Sequence, residues 1–352
     1  MNYQVKDIKR ADYVKTCGLA FIEFSGPRPE LLSDQFFRMG FAKTAIHKTR
    51  SICLYTQGDV RFISNTETGG HTEAFRRQHT RGVSALGFRV KDAAGAFKQA
   101  IALGAKEAKL REYDIPAIEG VGRSIIYLVD QKCQSALDRG FDFSQFTASC
   151  GTGLHRVDHL THNLKRGNLS VWVSFYETIF GFNEVRSFDI EGKATGLFSK
   201  VVASPDGQLI IPLNESKDEH SQIEEFLNDY NGEGVQHIAL TSDDLYKSVS
   251  QISDNGIELQ NTPDAYYELV DKRIPGHGED LGKLKELGIL IDGGEAQGGG
   301  KLLQIFTKKS IGPIFFEFIQ RKGNEGFGEG NFQALFESIE LDQFRRGVIG
   351  LV

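Results

Sequence analysis

The chain has 352 residues, 40% of them hydrophobic, and a formal net charge of −6. That composition excludes a disordered chain, supplies enough apolar mass for substantial cores, and predicts about two domains. With no long run of Lys or Arg it carries no electrostatic footprint for nucleic acid or an anionic membrane surface, and neither is expected as a partner.

The N-terminal stretch "MNYQVKDIKRADYVKTCGL" has no apolar signal core, and no window reaches the length of a membrane span, so a soluble, cytoplasmic protein is expected. Cys17, Cys53, Cys133 and Cys150 form no C-x-x-C pair and read as free thiols in a reducing compartment. In chain order, "GLAFIEF" (18–24) reads as a strand leading to the helix "LLSDQFFRMGF" (31–41), followed by the alternating strands of "SICLYTQGDVRFIS" (51–64). The segment "GVSALGFRVKDAAGAFKQAIALGA" (82–105) reads as strand then helix, and "RSIIYLVD" (123–130) as a further strand. A break at "FDFSQFTASCGTGL" (141–154) places the boundary between two halves near 140–153.

The second half repeats the order of the first. "VDHLTHNL" (157–164) leads to "LSVWVSFYETIFGF" (169–182), and "GVQHIALTSDDLYKSVSQISDNGI" (234–257) aligns without gaps onto 82–105. The strands "KLLQIFTKK" (301–309) and "PIFFEFIQRK" (313–322) follow, with "DGGEAQGGG" (292–300) as a flexible hairpin tip, and "GNFQALFESIELDQFRRG" (330–347) reads as a C-terminal helix with Phe332, Leu335, Phe336 and Ile339 on one face. The chain therefore holds four related modules, each one strand and one helix followed by three strands. This α+β order differs from a Rossmann half, and no Gly-rich loop opens a helix.

The repeat also permits a comparison within the sequence. Adding 152 places Ala85 opposite His237; matching the upstream strands by their following helices places Ala20 opposite His159; matching "RSIIYLVD" to "PIFFEFIQ" places Tyr127 near Glu317. At three equivalent strand positions the second half carries His, His and Glu where the first carries Ala, Ala and Tyr. Two imidazoles and one carboxylate form the facial triad that holds Fe(II) and leaves positions open for substrate and dioxygen. A lone His in a strand is more often a hydrogen-bonded core residue. Glu317, however, lies among Phe315, Phe316 and Phe318, and a buried unpaired charge is too costly to leave without a partner. Strand alternation puts His159 with Thr161 on one face and His162 with Leu160 and Asp158 on the other, so His162 reads as structural. His47, His71, His79, His155, His220 and His277 read as non-ligating.

The motifs "VDHLTHN", "IPLNE", "EGVQHIAL", "LLQIF", "FFEFIQRKG" and "GFGEGNFQALFESIE", in this order, resemble the 4-hydroxyphenylpyruvate dioxygenases. That family belongs to the vicinal-oxygen-chelate (VOC) superfamily, and the resemblance covers nearly the whole chain. It implies repeated βαβββ modules forming two open barrel-like domains: a degenerate, metal-free domain over 1–145, and a catalytic domain over 153–352 whose C-terminal helix gates the pocket. It places the metal ligands on His159, His237 and Glu317, the three residues reached by the repeat comparison. It assigns Ser199, Asn214, Gln236, Gln304, Phe306, Phe315, Phe327 and Phe332 to the substrate pocket, with Asn214, Gln236 and Gln304 as catalytic residues. Alternation pairs Phe315 with Glu317 and Gln304 with Phe306, but turns Gln236 away from His237.

The resemblance further implies Fe(II) as cofactor and 4-hydroxyphenylpyruvate and dioxygen as substrates. The reaction would be oxidative decarboxylation, ring hydroxylation and side-chain migration to homogentisate and carbon dioxide, as in tyrosine and phenylalanine catabolism, carried out by a homo-oligomer. Three rival readings are a 4-hydroxymandelate synthase, a non-catalytic binding module of the same fold, and a zinc or manganese lyase or isomerase.

Overall fold

The structure is a computed structural model that describes residues 12–144, 146, 151–191, 196–294 and 299–331. The first half runs β1 (Thr16–Ser25), α1 (Pro29–Arg38), β2 (Ala42–His47), β3 (Ile52–Gln57), β4 (Val60–Asn65), α2 (Gly70–His79), β5 (Gly82–Val90), α3 (Ala93–Ala102), β6 (Ala117–Glu119), β7 (Ile125–Val129), α4 (Gln131–Arg139) and β8 (Phe141–Asp142). The second runs β9 (Leu154–Leu164), α5 (Leu169–Phe180), β10 (Asn183–Glu191), β11 (Gly196–Ala203), β12 (Ile210–Ser216), α6 (Gln222–Tyr230), β13 (Gly234–Ser242), α7 (Leu245–Asp254), three short helices α8 (Asp264–Glu268), α9 (Val270–Arg273) and α10 (Leu281–Leu287), then β14 (Leu290–Gly293), β15 (Lys301–Phe306) and β16 (Phe315–Lys322).

Each half is one curled sheet of eight strands, in the orders β6-β7-β5-β1-β4-β3-β2-β8 and β10-β11-β12-β9-β13-β16-β15-β14. Read in opposite directions the two orders match module by module. The first strands of paired modules lie antiparallel at the centre, β1 on β5 and β9 on β13, and each module's last strand returns parallel to its first. This is the arrangement of βαβββ modules that the resemblance implies.

Local signals fit the elements they open and close. Asp244 and Ser221 accept hydrogen bonds from the backbone N–H groups of Lys247 and Glu224, capping α7 and α6. Gly181 closes α5 at φ 65°, a left-handed conformation that glycine adopts freely.

Two expectations require correction. The second module has only β6 and β7 where three strands were expected; the position of β14 is held by a single bridge, Glu107 to Ile118, and β8 adds to the far edge of the sheet beside β2. The residue opposite His159 is Phe21, not Ala20: Phe21 pairs with Gly87 as His159 pairs with Ala239. The helices that follow start 140 residues apart, at Pro29 and Leu169, whereas the paired strand positions Phe21 and His159 are 138 apart, so extra residues between strand and helix make the following helix an unsafe guide to strand register. The other two equivalences hold in register, since Ala85 pairs with Ile125 as His237 pairs with Phe315, and Tyr127 pairs with Gly87 as Glu317 pairs with Ala239.

The concave face of the first sheet is packed solid. Phe21, Tyr113 and Tyr127 meet with ring centroids 5.3–6.1 Å apart. Glu23 is fully buried among them and accepts from the Tyr113 hydroxyl at 2.5 Å, Ser84 at 2.9 Å and Asn65 at 3.2 Å. Burial raises the pKa of this carboxyl group. The DGG…GGG segment does join two antiparallel strands, β14 and β15, as a hairpin, although residues 295–298 lie outside the described part. So do Phe332, Leu335, Phe336 and Ile339 of the expected gating helix, together with Cys150. Cys17, Cys53 and Cys133 are free. No helix among the described residues is long and apolar enough to cross a membrane.

The two sheets share one core. Phe316 of the second meets Phe24 and Phe62 of the first at 6.5 and 6.2 Å, and Phe62 also stacks on Phe41 at 4.5 Å. Phe62→Ala should therefore cost about 3–5 kcal/mol, read as a lowered urea midpoint. A change under about 1 kcal/mol would deny Phe62 that place in the shared core.

Candidate metal centre

Strand register builds the site. On β13, Ala239 lies between His159 of β9 on one side and Glu317 of β16 on the other, so three neighbouring strands present His, Ala and Glu in one row. His237 stands two residues before Ala239 and hence on the same face. The small Ala239 side chain leaves the space in front of the row open, and the larger side chains converge over it.

The Nε2 atoms of His159 and His237 are 3.3 Å apart, and Glu317 Oε2 lies 3.1 Å from the first and 3.5 Å from the second. One ligand atom from each residue falls within 4.8 Å of the others. His159 and Glu317 are only 4% and 3% exposed. Each ring is held from behind: His159 Nδ1 is 2.9 Å from Asp158 Oδ1, and His237 Nδ1 is 2.9 Å from Gln236 Oε1. Carboxylate and amide oxygens accept, so Nδ1 is the donor in each ring and the Nε2 lone pairs face each other and the carboxylate. Three electron-rich atoms in a buried site repel unless a cation lies among them. The donor set fits a metal ion, two imidazoles and one carboxylate being the facial arrangement.

With no metal among these atoms, a proton on His159 takes the place of the cation. Burial alone would lower the His159 pKa, but Glu317 and Asp158 outweigh it and hold it up at about 9. Burial would raise Glu317, and the two imidazoles instead hold it down at about 2. Burial lowers His237, with Glu317 partly offsetting it. The carboxylate is thus ionised throughout the physiological range and requires positive charge beside it.

The cavity over the triad, about 240 Å³, is lined by Ser199, Asn214, Gln304, Phe306 and Phe327 among the expected pocket residues, and additionally by Phe188, Leu197, Val201, Pro212 and Asn331. Gln304 donates to Glu317 Oε1 at 3.1 Å and accepts from Asn331 at 2.9 Å, so its amide is engaged at both ends. Gly328 passes so close that a Cβ there would stand 1.9 Å from the Gln304 oxygen, and its φ is 78°; only glycine fits.

Two expected pocket residues do not line the cavity. Gln236 turns away, as alternation requires, and holds His237 from behind. Phe315 stacks on the His237 ring at 4.8 Å with an interplanar angle of 20°, bracing the ligand. Phe332 lies outside the described residues. His162 is buried behind the sheet with Nδ1 near the Leu160 carbonyl, and burial holds its pKa down to about 4.

Asp158 and Arg321 were not singled out in the sequence. Arg321 grips Asp158 with two hydrogen bonds of 2.8 Å, reaches the Gly326 carbonyl at 2.6 Å, and sits 5.5 Å from the centroid of Phe327. Phe327 in turn meets His159 edge to face at 5.6 Å. One guanidinium therefore ties the His159 anchor to the loop that roofs the cavity. Burial opposes ionisation of Asp158, but Arg321 holds its pKa well below the usual carboxylate range.

Sheet order and triad together define a member of the glyoxalase and dioxygenase superfamily. Residues 156–269 match "Glyoxalase/Bleomycin resistance protein/Dioxygenase superfamily", and residues 11–144 match "Hydroxyphenylpyruvate dioxygenase, HPPD, N-terminal". The chain is 50% identical over 355 residues to 4-hydroxyphenylpyruvate dioxygenase of Pseudomonas aeruginosa, covering 98% of this chain and 99% of that one. It is also 50% identical to hemolysin VllY of Vibrio vulnificus, with 95% and 97% covered. A solved structure of a triple mutant of 4-hydroxymandelate synthase from Streptomyces coelicolor superposes with a TM-score of 0.76 at 26% identity, covering 93% of this chain and 99% of that one. The chain belongs to the hydroxyphenylpyruvate dioxygenase family.

Outer partners of a ligating imidazole typically contribute about 10–100-fold in metal affinity. Asp158→Asn should weaken metal binding by that factor in competition with a chelator, whereas His162→Ala should leave the affinity unchanged. Equal effects at both positions would contradict the role of Asp158 in holding His159.

Proposed function

We propose that the chain is an Fe(II)-dependent 4-hydroxyphenylpyruvate dioxygenase, in which His159, His237 and Glu317 hold the metal. The observation that carries this reading is the buried triad opening onto a cavity with aromatic and amide walls. Iron bound there supplies a chelation point for the 2-oxo acid of the substrate and activates dioxygen, the part of the chemistry that belongs to the cofactor. Because the substrate brings its own 2-oxo acid, no separate 2-oxoglutarate is needed.

The protein orients the substrate and excludes water. Phe306 and Phe327 wall the cavity beside His237 and His159, so the aryl ring is held between apolar surfaces next to the metal. Ser199 and Asn214 are cross-strand partners on β11 and β12, and they offer hydroxyl and amide groups to the polar end of the substrate. Gln304 fixes the Glu317 carboxylate and couples it to Asn331. Gln236 acts through His237 as a positioning residue. The first half carries no equivalent ligand set, because Phe21, Ala85 and Tyr127 stand where the ligands would be.

A rival product, 4-hydroxymandelate, differs only in where oxygen is delivered, at the benzylic carbon instead of the ring. The placement of the ring by Phe306, Pro212 and Asn214 decides between them. The full chain with Fe(II) and 4-hydroxyphenylpyruvate should consume oxygen, release carbon dioxide, show no response to 2-oxoglutarate, and yield homogentisate by chromatography and mass spectrometry. Dominant 4-hydroxymandelate would overturn the proposal. Phe306→Ala or Asn214→Ala should slow turnover or divert part of the flux to 4-hydroxyphenylacetate or 4-hydroxymandelate, since a displacement of about 1 Å can cost on the order of a hundredfold.

A further inference from the structure

A second cavity, about 250 Å³, lies between the two sheets and is lined from both. Its charged lining consists of Arg61, Arg89, Arg156, Asp59 and Asp158. Three guanidiniums, two of them partly buried, crowd one small space and repel one another unless acceptors answer their charge.

Part of that charge is answered within the protein. Arg61 pairs with Asp138 at 2.6 Å, and Asp158 is neutralised by Arg321. What remains is Asp59 against Arg89 and Arg156, an excess of positive charge. Arg89 uses its Nε on the Leu19 carbonyl at 3.1 Å, which leaves both terminal nitrogens as donors. Arg156 is exposed and enters no ion pair among the described residues. The Nε of Arg61 is buried with no hydrogen-bond partner, which leaves a desolvated donor unsatisfied. The donors therefore await an acceptor.

Beside Cys17 and Gln208, the uncharged lining includes an apolar group made of Leu19, Phe21, Val60, Val157 and Ile210. A bare inorganic oxoanion would leave that surface unfilled, whereas a carboxylate on a short apolar body would satisfy both parts. The volume lies below the roughly 300–1,000 Å³ of drug-sized sites and suits a small acid. We propose that this cavity is a second binding site, for a small carboxylic acid with an apolar body. It shares none of its lining with the metal cavity, although Asp158 in its wall also holds His159, and the proposal does not rest on the activity proposed above.

Equilibrium dialysis of the full chain against radiolabelled phenylacetate tests the site, with His237→Ala as background to disable the metal cavity. The His237→Ala chain should still bind about one equivalent, and adding Arg156→Glu should weaken that binding more than tenfold. Because Arg156 is exposed, this variant keeps its thermal midpoint; Arg89→Gln, which also loses the bond to Leu19, should act in the same direction. No binding in the His237→Ala chain, or an affinity unmoved by Arg156→Glu, would overturn the proposal. Displacement of phenylacetate by inorganic phosphate at equal or lower concentration would overturn the assignment of an organic acid.

Discussion

The second sheet is organised around a carboxylate that has to be ionised and cannot reach water. Glu317 is 3% exposed and lies between Phe316 and Phe318, both fully buried. The desolvation penalty of an isolated charge there would reach several kcal/mol or more, so the surrounding elements must bring positive charge to it. The pairing of β9, β13 and β16 prepares a seat for it by placing the Nε2 atoms of two imidazoles within 3.5 Å of Oε2, so that all three atoms can hold one cation. Each imidazole is then fixed by its own acceptor, Asp158 or Gln236, and Asp158 by Arg321. A chain of single contacts thus runs from the metal site to the roof of the cavity.

The first sheet shows the same architecture meeting a related constraint differently. Glu23 is also a fully buried carboxyl group, on the strand equivalent to β9, but neutral donors surround it: Tyr113, Ser84 and Asn65. Burial raises its pKa where the imidazoles depress that of Glu317. One half keeps its carboxyl group by hydrogen bonding and fills its concave face with aromatic rings. The other keeps its charge and leaves the face open. A lyase or isomerase drawing a further ligand from an equivalent module would find Phe21, Ala85 and Tyr127 in the first half, none of them a carboxylate or imidazole.

Much of this is legible in the sequence, because the duplication supplies an internal control. The ungapped alignment of 82–105 with 234–257 isolated His237 from Ala85, and the buried setting of Glu317 followed from its Phe neighbours alone. The slip from Phe21 to Ala20 reflects extra residues between strand and helix in the second half, which periodicity inside the strands cannot register. The contact of Asp158 with Arg321 spans 163 residues and has no local signature; alternation even sets Asp158 on the face away from His159, although its carboxylate still reaches the ring nitrogen. Gln236 and Phe315 were placed in the pocket by resemblance, yet they act on His237 from outside it. Strand alternation had already turned Gln236 away.

The central claim is that His159, His237 and Glu317 together hold one iron. Iron content measured by plasma mass spectrometry, after anaerobic loading of the full chain with Fe(II) and removal of the excess, tests it most directly. Wild type is expected to retain about one iron per chain, and His159→Ala, His237→Ala and Glu317→Ala each less than about a tenth of that, with the folded circular dichroism spectrum kept. Any of the three variants that stays folded and retains its iron would contradict the assignment.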